Sequence, residues 1–331
     1  MLETIIRRLI LGAVLVFAVV TATFLLINLA PGDPARLWVG PTAGQAELDA
    51  ARRALGLDRP LPIRYLAWMG DFVRGNWGAS LAQGRPVTSV ILDALPYTLL
   101  LSGASLALTY LGGLIIGTVQ AIRHRTRTDV ALTVGTLFVY GMPAFWLATM
   151  LVLTFVYGAA RLDWPAVFRF PALGAHSLDA GFLSPMGRGL DLARHLVLPL
   201  ATLAAIGVAG AARFVRGAVL DARHQGYVRA ARARGLSGPR IELRYVLRNA
   251  LMPVITLLGL SLPALFSGTV FVEVIFAWPG MGREIVNAVA SRDYPLVMAT
   301  TTIFAILVVV GNLMADLLYA VADPRLRARE A

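Results

Sequence analysis

Six stretches of this chain contain no Asp, Glu or Arg: residues 9–32, 94–122, 130–160, 196–212, 249–272 and 294–315. Each reaches the roughly 17–25 residues that a helix needs to cross a hydrocarbon core. In lipid every backbone amide and carbonyl must be paired within the protein, so an apolar run of this length becomes a helix. The expected fold class is an all-α integral membrane protein with six transmembrane helices. Composition agrees: charged residues are 15% of the chain and mean hydropathy is +0.70, whereas a soluble domain carries about 25% charged residues. The fourth run is the shortest, and its helix is expected to continue past Arg213. The first run exceeds the roughly 7–15 apolar residues of a signal-peptide core and no cleavage pattern follows it, so it reads as a retained span.

Six spans place both termini on one side. The N-terminus, loop 123–129, segment 213–248 and the C-terminal tail carry 17 Arg against 7 acids. The other side, 33–93, 161–195 and 273–293, carries 13 Arg against 12 acids. The arginine-rich side is expected to be cytoplasmic. The organisation that follows is an N-terminus and first helix over 1–32, an external insert over 33–93, a core of five further helices over 94–325 and a tail over 326–331. The insert has apolar positions at Leu48, Leu55, Leu57, Tyr65, Leu66, Trp68, Met69 and Phe72, broken by Pro and Gly. It predicts two or three short helices packed on the outer ends of the spans.

There is no cysteine and no lysine. Disulfide and thiolate chemistry are excluded. A Walker A loop needs its lysine on the phosphates, so any ATP and Mg must be bound by another subunit. The four histidines, His124, His176, His195 and His224, show no metal-ligand spacing and read as loop or interface residues. No metal site, cofactor or catalytic residue is expected in this chain. The arginines follow topology, and no nucleic-acid-binding motif accompanies them.

The most basic stretch is "YVRAARARGLSGPRIELRYVLRNALMP", Tyr227 to Pro253. Residues 225–234 are rich in Ala and Arg and predict a short helix. Gly235 suits the left-handed residue after it, with Leu236 closing the cap. Ser237 is an N-cap and Pro239 is tolerated in the next first turn. A second helix then enters the fifth span with Arg240, Arg244 and Arg248 as one basic stripe, and Pro253 lies near the start of the span. The stripe suits lipid headgroups. The first helix is different: Ala230, Ala231 and Ala233 allow close approach of a partner, and only Tyr227 resembles a membrane anchor.

Arg229-Ala230-Ala231 followed by Gly235 resembles the Glu-Ala-Ala-x-x-x-Gly signature of ABC importer permeases. Arg229 replaces the Glu, and Gly235 stands 18 residues before Pro253. Both departures resemble the dipeptide/oligopeptide/nickel branch, where "YVRxARAxGL…LRNALxPV" is usual. "FLLINLAPGDPA" (24–35), "LGLDRPLPIRYLAW" (55–68), "GNWGASLAQGRPV" (75–87), "FVEVIFAWPGMGREIVNAVASRDYP" (271–295) and "ADLLYAVADPRLR" (315–327) resemble that branch in order along nearly the whole chain. The insert after the first span is more like the first, B-type, membrane subunit. The resemblance implies a type I ABC importer permease fold and a coupling helix at about 225–238. There Tyr227, Arg229, Ala230, Ala231, Arg234, Gly235 and Leu236 would dock on an ATPase subunit. It also implies a second, C-type permease, two ATPase subunits or domains and an external solute-binding protein. The location would be a bacterial or archaeal cytoplasmic membrane. The cargo would be a dipeptide or oligopeptide, with nickel chelates, glutathione and oligosaccharides as the alternatives within the branch.

Other residues carry narrower expectations. Asn312, Asp316, Tyr319 and Asp323 share a face of the sixth span, and charged groups at that depth seek partners. Asp316 is expected to pair with Arg213 or Arg216. Glu273, with Trp278, Pro279 and Gly280, is a candidate external mouth, the alternative being a turn with an aromatic anchor. Asn28 reads as an interhelical hydrogen-bonding group. A secondary transporter is the rival class. It would show repeated halves and ionisable groups near the midplane; no repeat is visible, and the span centres hold no Asp, Glu, Arg or His.

Overall fold

The computed structural model describes residues 2–29, 35, 39–40, 43–54, 56–261 and 269–322. Leu55, Asp323, the side chain of Tyr319 and the tail 326–331 lie outside the described residues. Among those residues the helices are α1 Leu2–Leu29, α2 Gln45–Ala54, α3 Leu61–Val73, α4 Val87–Ile122, α5 Arg127–Tyr140 and α6 Ala144–Arg161. They continue as α7 Pro185–Arg223, α8 Gly226–Ala233, α9 Gly238–Ser261, α10 Val270–Ile275, α11 Met281–Ala290 and α12 Tyr294–Ala322. Six are long and apolar enough to cross a membrane: Ile6–Leu29, Val87–Ile122, Ala144–Arg161, Pro185–Arg223, Gly238–Ser261 and Tyr294–Leu317.

The third apolar run is not one helix. It breaks at Gly141-Met142-Pro143 between α5 and α6. Pro143 lacks an N–H and disfavours the helical conformation in the residue before it, so a helix ends there. The fourth helix runs past Arg213 as expected, and also begins at Pro185, well before the apolar run, with Ser184 capping it. The fifth helix starts at Gly238 and takes a π-helical stretch over Glu242–Leu247.

The chain forms two compact units, one of Leu2–Tyr97 with Gly280–Val309, the other of Thr98–Pro279 with the residues from Val310 on. In the first, α3 lays Tyr65, Trp68 and Met69 against Val20 and Phe24 of α1 and Met298 of α12. These positions recur at helical spacing, so one apolar face of α3 is half-buried against the spans. Phe24 meets Tyr65 edge-on at 5.2 Å, and Trp68, Phe72 and Trp77 continue as a stack. Asp293 is fully buried. It caps α12 through the amide of Leu296 and accepts from Ser80 and the amide of Ala82, which ties the end of the insert to this helix.

In the second unit α4 lies directly on α7. A Cβ added to Gly117 would stand 2.5 Å from the Ala212 carbonyl oxygen and 2.7 Å from Val215 Cβ, and one added to Gly113 would collide with Ala211. Gly113 and Gly117 are a G-x-x-x-G pair, and between helices in lipid such small residues let backbones touch and gain dispersion contacts. At Gly103 on the same helix nothing stands within 4 Å of an added Cβ. Gly117→Val should therefore destabilise the chain by about 1–3 kcal/mol or more, the range for overpacking, since a backbone carbonyl cannot step aside. Gly103→Val should be near neutral. Thermal unfolding in detergent measures both, and equal midpoints for the two variants would refute the close seam.

Candidate functional site: a basic elbow on α7, α8 and α9

The elbow begins where α7 ends at Arg223. Its short helix, α8, follows after one turn, and Gly235 then reverses the chain into α9. The cap is a Schellman arrangement: the Leu236 amide donates to the Ala231 carbonyl and the Gly235 amide to that of Arg232. Gly235 has φ +73° and open space around it, so only the backbone conformation requires glycine there. Ser237 precedes the second helix as expected, but makes no side-chain capping bond.

One face of α8 belongs to the protein's own core. Val228 and Ala231 are completely buried against Val215, Val219 and Ala222 of α7, Ile241, Val246 and Ala250 of α9, and Ala121 of α4. Burying a valine side chain stabilises by roughly 1.5 kcal/mol or more, so α8 is mounted on the helix bundle. This corrects the expectation for Ala231, whose methyl group faces inward and is closed to a partner. Leu236 is half-buried on the same core. Tyr227, Arg229, Ala230, Arg232, Ala233 and Arg234 are exposed. Beyond the turn Arg240, Arg244 and Arg248 are exposed as well, with Pro253 inside α9. Glu242, the acid of this stretch, is drawn away: Arg223 donates to both its carboxylate oxygens, at 3.1 and 2.6 Å, and to the Ala121 carbonyl at the end of α4 at 2.8 Å. The outward surface of the elbow is left positive.

A second clamp lies beside it. Asp129 is buried and takes a two-pronged hydrogen bond from Arg216, Nε to Oδ1 at 3.0 Å and Nη2 to Oδ2 at 2.9 Å. The Arg125 amide also donates to it at 2.9 Å, and His124 stands 3.3 Å away. The Arg216 hydrogen bond, helped by that amide and by the charge of Arg216, holds the Asp129 carboxyl well below the usual carboxylate range despite its burial. The pattern Thr126-x-x-Asp129 ahead of an apolar run is a helix-start signature, and Thr126 caps α5 through the Asp129 amide. That signal in the sequence marked Asp129; its arginine partner was out of reach of local pattern.

The arginines expected to pair with Asp316 of α12 are engaged elsewhere. Arg216 is engaged by Asp129, and Arg213 lies over the Tyr140 ring at 5.2 Å. Asn312 is exposed and Asp316 half-buried. The candidate mouth also reads differently. Glu273 is fully buried and accepts hydrogen bonds from Thr98 and Thr269, both at 2.9 Å. Trp278 is fully buried too, so it is neither a rim residue nor an interface anchor, and its amide closes α10 on the Glu273 carbonyl with Ala277 at φ +47°. Pro279 is half-buried and Gly280 buried. His195, expected in a loop or at an interface, is buried in α7 beside Asp191. Asn28 donates to the Phe24 carbonyl of its own helix.

Six helices long and apolar enough to cross a membrane, with one basic elbow seated on them, define a multi-pass membrane protein. The chain belongs to the binding-protein-dependent transport system inner membrane components. The model of that family matches residues 113–328, and its companion, "Binding-prot-dependent transport system membrane comp, N-term", matches residues 1–102. It is a permease subunit of an ABC transporter, and the secondary-transporter reading is not favoured. Among its relatives are the oligopeptide transport system permease protein AppB of Bacillus subtilis, 38% identical over 97% of this chain and 98% of that one. The di/tripeptide transport system permease protein DppB of Pseudomonas aeruginosa is 38% identical over 99% of each, and the glutathione transport system permease protein GsiC of Escherichia coli 34% identical over 99% of each. A crystal structure of an amino acid ABC transporter with histidines aligns with a TM-score of 0.53 at 16% identity, over 70% of this chain and 94% of that chain, a likeness of fold.

Asp129→Asn should destabilise the chain at neutral pH by about 1–3 kcal/mol, because it takes the charged partner from a half-buried guanidinium. A carboxylate with a depressed value stabilises above its unfolded value of about 3.9, and the contribution fades as pH falls below that toward the folded value. The gap between wild type and variant in thermal unfolding should therefore be widest near pH 7 and narrow below about pH 4. A gap that stays constant down to acid pH would contradict this assignment.

Proposed function

We propose that this chain is the first, B-type, transmembrane subunit of an ATP-driven importer of dipeptides, oligopeptides or related small solutes. The observation that carries the docking role is the two-sided α8: Val228 and Ala231 lock it to the bundle, while Arg229, Ala230, Arg232 and Arg234 face outward. A helix held this way passes a push from outside into α4, α7 and α9. An ATPase subunit that presents acidic groups in a cleft fits the positive face. The full-length likeness to oligopeptide, di/tripeptide and glutathione permeases supports a peptide-type cargo.

In this reading a second, C-type permease completes the pore. Two ATPase subunits or domains bind ATP and Mg, and an external solute-binding protein delivers cargo. The chain has no bond-making chemistry of its own and works as a two-state element biased at both ends. The arginine bias supports both termini and the elbow lying in the cytoplasm and the insert outside, in a bacterial or archaeal cytoplasmic membrane.

Ala230→Trp tests the docking. Ala230 is exposed and contributes nothing to the buried face, so the variant should insert and unfold like wild type. The ATPase subunits should no longer co-purify, and ATP-driven peptide uptake should fall by about tenfold or more, a loss of roughly 1.4 kcal/mol in coupling. Gly235→Asn should be tolerated and Gly235→Val should not, because Asn accepts the left-handed conformation. Retained ATPase and uptake in Ala230→Trp would remove α8 as the docking element.

A further inference from the structure

A cavity of about 370 Å³ lies within the first unit, between the end of α1, the short helices α2 and α3, and the start of α12. Its wall is mixed. Phe24, Trp68, Tyr294 and Met298 give it an apolar, largely aromatic side. Arg53, Arg59 and Arg64 also line it, against one acid, Asp71. The insert as a whole is nearly balanced in charge, so this local excess comes from folding and not from composition.

The arginines are not consumed by the protein. Arg53 donates from Nε to the Asp49 carbonyl. Among the described residues Arg59 and Arg64 have no carboxylate and no hydrogen-bond acceptor. Arg64 is half-buried, and that burial lowers its guanidinium from the ordinary value, against the attraction of Tyr294. A partly desolvated cation without a partner is unfavourable. A guanidinium presents five donors in a planar fork that matches a carboxylate or phosphate two-pronged. Trp68 and Tyr294 line the same cavity and offer aromatic surface to an apolar body, and the volume suits a small molecule.

We infer that this cavity is a binding site for a small organic anion, an oxyanion carried on an apolar or aromatic body. The oxyanion lies on Arg64 with support from Arg53 and Arg59, and the body lies against Trp68 and Tyr294. Two sources have this chemistry: a soluble carboxylate, and the headgroup phosphate of an anionic lipid whose chain follows α1. The site is separate from the α8 elbow, and neither cargo nor transport direction enters the argument.

The test uses the assembled transporter in phosphatidylcholine nanodiscs. N-acetylphenylalanine and its amide, N-acetylphenylalaninamide, are titrated calorimetrically. The acid should bind and the amide should bind at least about tenfold more weakly, the worth of one charge-assisted contact. Arg64→Gln should weaken the acid by a similar factor. Asp71→Asn, which removes the acid that lines the cavity among the described residues, should tighten it, and this opposite sign guards against a variant that merely misfolds. Discs containing phosphatidylglycerol divide the sources: competition there assigns the site to a lipid headgroup, and undiminished binding assigns it to a soluble carboxylate. Native mass spectrometry then reads phosphatidylglycerol retention, which Arg64→Gln should reduce if lipid is the occupant. Equal binding of acid and amide overturns the proposal. So does absence of acid binding together with equal lipid retention in wild type and Arg64→Gln. A nanodisc exposes both faces, so failure counts against the cavity and leaves the proposed orientation untouched.

Discussion

The backbone contact between α4 and α7 is the constraint on which the second unit depends. Apolar helices in lipid gain nothing from hiding apolar surface, since the surrounding chains are as apolar as leucine. What holds them is close packing, and at Gly113 and Gly117 the approach leaves no room for a Cβ. The consequence reaches the elbow. With α4 on α7, Ala121 joins Val215, Val219 and Ala222 in one core, and its carbonyl comes within reach of Arg223. That core is the seat into which Val228 and Ala231 fit.

The two ion pairs bracket this seam. Arg223 binds Glu242 and the end of α4, and Arg216 binds Asp129 at the start of α5. Isolated surface pairs are worth little, but Asp129 is buried and its bond to Arg216 is two-pronged, which fixes angle as well as distance. Their placement also accounts for the charge of the elbow. With Glu242 engaged by Arg223, the exposed Arg229, Arg232, Arg234, Arg240, Arg244 and Arg248 make no ion pair among the described residues. The basic character of this surface is thus a product of tertiary pairing as well as of composition.

Much of this was legible in the sequence because lipid makes the code simple. Charge-free runs gave spans, and the Ala-Arg run closed by Gly235 gave α8 and its cap, since helix propensity and a left-handed residue are local properties. The failures share a cause: they depend on what lies opposite. Ala231 looked available to a partner until Ile241 and Val219 were placed over it. Trp278 looked like an interface anchor and is core. Arg216 found Asp129 rather than Asp316, a choice set by the packing of α5 on α7. Gly141-Met142-Pro143 and the Gly113–Gly117 pair were local signals of a break and a helix seam. They were obscured because the surrounding apolar runs were already long enough to be read as plain spans.

The elbow also bears on how force would travel. A helix displaced by a docked subunit does work on a channel only if its attachment is stiffer than the barrier it must help to cross. Packed interiors have low compressibility and switch between discrete arrangements more readily than they deform. The attachment of α8 is of this kind: two fully buried side chains, a hydrogen-bonded turn at Gly235, and an adjacent guanidinium gripping both α9 and α4. The Glu242–Leu247 stretch is the exception, because its π-helical hydrogen bonds depart from the regular ladder where the elbow hands over to the spanning part of α9. Such stretches are less favourable than α-helix and are often found where a helix must re-register. Under the proposed docking, α7 and α4 would move with α8 as one body, and the adjustment between states would fall on α9 near Glu242 rather than on α8 itself.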